Sequence, residues 1–188
     1  MSDHQFINNY LKDFIELLQP NDDTTEELVK VRNLLQEVSR SNKKVLIFGN
    51  GGSAAIASHF SVDLTKNAKL RCVNFNEASL ITCFANDYGF EHWAEKAVDF
   101  YGDEGDLLIV ISSSGQSQNM INAVEAARNG NFKSVVTMSG FLEGNPLKKM
   151  GDINLWVNNK SYNFVENVHQ IWLLAITDLV IGKREYLA

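Results

Sequence analysis

The 188-residue chain carries 45% hydrophobic and 21% charged residues with a formal net charge of −6, a composition that lets a folded chain bury a substantial core. The acidic balance and the lack of any Lys/Arg stripe argue against direct contact with nucleic acid. No 18-residue apolar run and no basic-then-apolar leader occurs, so neither a membrane span nor secretion is expected, and the predicted location is cytoplasmic.

Phe6, Tyr10, Phe14, Leu17 and Leu18 recur at helical spacing before Pro20, and Asn21 to Thr25 supply turn and capping residues. A second helix follows with Leu28, Val31, Leu34, Leu35 and Val38. Two amphipathic helices ahead of the first strand predict apolar faces shared between the body of the protein and another subunit. From residue 44 the pattern alternates. Strands are predicted at 44–48, 71–75, 107–111, 134–138 and 153–157. Helices are predicted at 53–66, 79–86, 91–100, 117–129, 145–150 and 162–181. The continuously apolar strands fit a parallel sheet covered on both faces. The reading is one α/β domain over residues 1–188, doubly wound, with a helical pair at 1–41 and an α/β core at 44–188. Cys72 and Cys83 fall in apolar runs and read as buried free thiols, while Trp93, Trp156 and Trp172 are expected to fill core or interface.

Two turns carry the chemistry. Gly49-Asn50-Gly51-Gly52-Ser53 follows the first apolar run, and Ser112-Ser113-Ser114-Gly115-Gln116-Ser117 follows the third. Each opens a helix, and a flexible strand-to-helix turn presents backbone N–H groups to an anion. Taken alone, Gly49–Ser53 is equally a tight turn with Ser53 as helix cap. The second turn places four hydroxyls within six residues, where a cap needs one. No Gly-Lys-Ser/Thr follows it, and no GxGxxG precedes an acidic second strand, so a phosphorylated sugar or polyol fits better than a nucleotide.

These residues resemble the sugar isomerase (SIS) domain family, and within it the bacterial phosphoheptose isomerases. The likeness extends through the two leading helices, Gly49–Ser53, His59-Phe60, Asn86-Asp87-Tyr88-Gly89-Phe90, Gly105-Asp106-Leu107-Leu108, Ser112–Ser117 and the long last helix. The resemblance implies a five-stranded parallel sheet and a homotetramer with sites between subunits. It also implies interconversion of sedoheptulose 7-phosphate and a heptose 7-phosphate for surface polysaccharide. Ser112, Ser113, Ser114 and Ser117 would hold the phosphate; Asn50, Gly51, Gly52 and Ser53 would line the sugar, with Asp87 near its chain.

The family's acid–base and zinc residues are altered. Its His-x-x-x-Glu pair reads His59 and Asp63 here, four residues apart and so on one helix face. Its last-helix glutamine falls at Glu166, and its second histidine at Leu174. Its preceding aspartate is Asn163, and its arginine falls near Lys66 or Asn67. The expectation is Asp63 as proton-transfer base, with Glu166 and His169 as further catalytic residues. His59, Asp63 and Glu166 would then be ligands for one zinc per subunit. His4 and His92 are assigned to the surface. The alternatives are a non-catalytic sugar-phosphate-binding or regulatory SIS protein, of the kind that associates with a replication initiator, and an isomerase of another phosphorylated sugar.

Overall fold

In a computed structural model, which describes residues 1–184, five short strands form one parallel sheet in the order β2-β1-β3-β4-β5. These are β1 (Val45–Gly49), β2 (Cys72–Asn74), β3 (Leu107–Ser112), β4 (Ser134–Ser139) and β5 (Ile153–Trp156). Every residue of β1, β3 and β4 is buried, which is why their sequences read as unbroken apolar runs rather than alternating ones.

Helices cover both faces. On one lie α2 (Asp22–Arg40), α3 (Gly52–Lys66) and α7 (Tyr162–Ile181), packed through Val31, Leu35, Phe60, Leu64, Leu173 and Ile176 onto Ile47, Ile109 and Val136. On the other lie α5 (Trp93–Tyr101) and α6 (Gln118–Asn129), with Trp93, Ala97, Met120 and Ala123 against Leu46, Phe48 and Val110. Alternate residues of each strand thus feed separate cores, as the two-residue period requires. By length and composition α7 also resembles a membrane span, but it is committed to the core between α2 and α3.

Because β1 leads to β2 on one side and pairs with β3 on the other, the strand order reverses between β1 and β3. Ligands of open α/β sheets bind beyond the carboxyl ends of the strands at such a switch point. In this register Gly49 pairs with Ile111, so the two turns leave the sheet side by side. At the opposite end buried Asp106 fixes the same two strands, accepting from the Lys44 amide (2.9 Å) and the Lys44 ammonium (2.6 Å).

Two sequence expectations change. The helix expected at 145–150 is only a 3-10 turn, Leu147–Lys149, introduced by Pro146. Cys72 is buried but Cys83 is exposed, because α4 (Ala78–Tyr88) buries none of its residues and lies on the surface. The leading pair divides its work. α2 enters the core, whereas α1 (Asp3–Leu17) has no buried residue and touches the body through Tyr10, Phe14 and Leu17 around Phe164.

Candidate active site

The loop out of β1 turns sharply at Gly51, whose φ of 55° and ψ of −122° make it a position that favours glycine. α3 begins there with no side-chain cap. α6 likewise begins at Ser117 without a side-chain cap, because the Ser117 hydroxyl is turned to Ser112 Oγ at 2.9 Å. Two helix N-termini therefore bring free N–H groups and the positive ends of their dipoles to one place. Between them is a cleft of about 290 Å³ lined by Asn50, Gly51, Gly52, Ser53, Ile111, Ser112, Ser113, Ser114, Ser117, Tyr162 and Glu166.

Among the described residues no lysine, arginine or histidine borders this cleft. An anion placed there is held by hydroxyls, amide N–H groups and helix dipoles alone. Ser113 Oγ is buried with no hydrogen-bond partner, a polar atom left for a ligand to satisfy. Asn50 and Asn119 exchange two amide hydrogen bonds (3.0 and 2.9 Å), which pin the first turn to α6.

Among the described residues Glu166 is the one carboxylate that lines the cleft. Burial pushes its pKa above the usual carboxylate range, and no charged or hydrogen-bonding neighbour offsets the effect. Its side chain lies over the backbone of Gly52, where a Cβ would collide with it. A larger groove of about 480 Å³ lies between the α1–α2 turn and β5, beside Trp156 and Trp172. It contains neither strand-end turn.

The remaining sequence candidates separate. Asp63 pairs with His59 Nε2 at 3.2 Å on the flank of α3 and does not border the cleft. His169 is fully buried, its Nε2 3.1 Å from the Ser139 carbonyl and its Nδ1 unpartnered. Burial holds its pKa down to about 4. It cannot touch a ligand in the cleft, because the helical face it shares with Val165 and Val168 turns inward. Asp87 lies on exposed α4, accepting from Asn86 Nδ2 at 2.8 Å, and is not in the cleft wall. His92 is partly exposed at the start of α5, 2.6 Å from Glu95.

Zinc needs at least three converging His, Cys, Asp or Glu donors. Among the described residues no such group exists, so His59, Asp63 and Glu166 do not form the expected ligand set. The partner that α7 offers His59 is Gln170, with Nε2 3.2 Å from His59 Nδ1. Sequence reasoning missed Gln170, Tyr162 and Asn119. Asn119 could have been found from its place in the first turn of a helix that opens on the serine run.

Comparison with known proteins agrees with this geometry. Residues 9–139 match the model of the SIS domain. The chain is 38% identical to the phosphoheptose isomerase of Fusobacterium nucleatum, over 89% of its own length and 86% of the relative's. It is 30% identical to that of Hamiltonella defensa, over 96% and 85%. The structure of the Neisseria gonorrhoeae phosphoheptose isomerase superposes with a TM-score of 0.88 at 29% identity, covering 96% of this chain and all of that one. The Francisella tularensis enzyme gives 0.87 at 27%, covering 97% of this chain and all of that one. With its parallel sheet, its strand-end turns and its relatives in agreement, the chain belongs to the SIS domain family, on the phosphoheptose isomerase branch.

Proposed function

We propose that this protein is an aldose–ketose isomerase of a phosphorylated sugar, interconverting sedoheptulose 7-phosphate and a heptose 7-phosphate. The observation that carries the reading is the cleft itself. Two uncapped helix N-termini and a serine turn meet one carboxylate of raised pKa, in a chain 38% identical to a phosphoheptose isomerase.

The phosphate would sit on Ser112, Ser113, Ser114 and Ser117, with Ser113 Oγ gaining the partner it lacks. Binding energy from this remote group then serves to hold the reacting carbons near Glu166. Glu166, rather than Asp63, is the group we assign to proton transfer. Its carboxylate takes a proton from C1 of the ketose while O2 gains one from solvent water, giving an enediol. Once the carboxyl proton has exchanged with solvent, delivery of a proton to C2 as O1 releases its own to water yields the aldose. C1 is oxidised and C2 reduced within one molecule, so no external redox partner enters. A carboxylate with a raised pKa suits this role because it both takes up a proton and gives one back.

The assembly we propose is a homo-oligomer. On α1, Ile7, Leu11 and Ile15 form a stripe at four-residue spacing, each more than half exposed, and an unpartnered stripe of this kind is an association surface. A cytoplasmic location follows from the same reading of a phosphosugar enzyme. We also propose that residues 1–188 make up one domain.

A second reading has its own support: a cleft that, among the described residues, has no histidine and a single carboxylate also suits a protein that binds a phosphosugar without turning it over. Incubation with sedoheptulose 7-phosphate in heavy water, followed by NMR, separates the two. The isomerase reading expects an aldose phosphate carrying deuterium at C2. A bound but unchanged sugar would replace it with the binding module.

A further inference from the structure

We infer that this site works without a resident zinc ion, a polar cluster of Gln170, His59 and Asp63 standing in place of a metal centre; this rests on the isomerase reading above. The family resemblance implies zinc, so the donor set decides. Both ring nitrogens of His59 are engaged: Nε2 faces Asp63 Oδ2 at 3.2 Å and Nδ1 faces Gln170 Nε2 at 3.2 Å. An amide nitrogen can only donate, so Nδ1 accepts from Gln170 and the neutral ring carries its proton on Nε2, facing the carboxylate. In that tautomer the only lone pair with which His59 could bind a metal is already used.

The next donor is no better placed. Glu166 lies one helical turn before Gln170 on α7 and is directed over Gly52, into the cleft, rather than onto the His59–Asp63 pair. A turn further on, at Leu174, α7 carries a half-buried aliphatic side chain with nothing to donate. Gln170 is the residue that faces the pair, and a neutral amide is a weak zinc ligand beside imidazole or carboxylate. The polar cluster therefore fastens α7 to α3, and proton movement falls to the Glu166 carboxylate in the cleft.

Two measurements on the full-length protein test this. After exhaustive dialysis against a chelator, conversion of sedoheptulose 7-phosphate is expected to continue at an undiminished rate. Zinc chloride is then expected to leave the melting temperature where it was, since an ion that bound the native state would raise it. A rate lost on chelation and restored by zinc would overturn the inference. So would stoichiometric zinc binding in calorimetry that disappears in His59→Ala, a change at a half-exposed position that leaves the core intact. Zinc binding that survives in His59→Ala lies elsewhere and supports it. If neither chelated nor zinc-supplied protein turns the sugar over, the isomerase reading falls. The zinc titration with wild type and His59→Ala then decides the metal question by itself.

Discussion

The absence of a side chain at Gly52 is what allows the Glu166 carboxylate to reach the cleft. An added Cβ would occupy the space now held by both carboxylate oxygens. Gly52 is the first residue of α3 and has no positive φ, so its conformation does not require glycine. Gly52→Ala should therefore fold normally, with a stability change within about 1 kcal/mol, and should lose turnover because the carboxylate is displaced. Denaturant melts beside kcat measurements check this. Loss of stability in proportion to activity would show that the glycine serves the fold instead.

Glu166→Gln removes the proposed base while nearly preserving volume and hydrogen-bonding shape. Isomerisation is expected to fall by about 10²–10⁴-fold, with sugar-phosphate affinity by calorimetry changed little. Since burial raises the Glu166 pKa and the reaction needs the carboxylate form, wild-type kcat/KM should rise with pH through that raised value and then level off. Activity in Glu166→Gln close to wild type would return Asp63 to consideration.

Ser113→Ala tests the anion turn. The Ser113 hydroxyl is buried and unpartnered without ligand, so its removal costs the free protein little and costs the complex a hydrogen bond to a charged group. That loss is about 1.5–3 kcal/mol, a roughly tenfold to hundredfold rise in KM with kcat less affected. Titration with inorganic phosphate should weaken in parallel. An unchanged KM would place the phosphate elsewhere.

His169 predicts acid sensitivity. Burial lowers its folded pKa from 6.5 to about 4, outweighing the Ser139 contact that pulls the other way. A depressed histidine contributes stability that is fully present above pH 6.5 and is lost as pH falls toward 4. The unfolded chain takes up a proton that the folded one refuses. The loss is up to about 3 kcal/mol. His169→Gln keeps an amide donor for Ser139 and does not titrate, so its stability should depend less on pH across that window. Parallel unfolding profiles for the two proteins would contradict this.

Leu11→Asp interrupts the exposed stripe of α1 at its centre. Since α1 buries no residue within the protomer, the fold should survive while the oligomer dissociates. Light scattering after gel filtration reads the mass. An unchanged mass would free this face from any role in assembly.

The apolar runs at 44–48 and 107–111, and the small-residue turns that follow them, determined from sequence alone the parallel sheet and the pair of turns that line the cleft. A strand buried on both faces must be apolar throughout, and a turn that admits a ligand to the main chain must be small, so both constraints are local. Which carboxylate lines the cleft was not local. Helical spacing put His59 with Asp63 and Glu166 with His169, but it carries no information on how α3 and α7 are rotated and offset against each other. Their packing decided that Gln170 meets His59, that His169 turns inward to Ser139, and that Glu166 lies over Gly52. A side chain's face on its own helix is set by the 3.6-residue period; what that face meets is set by the helices packed beside it.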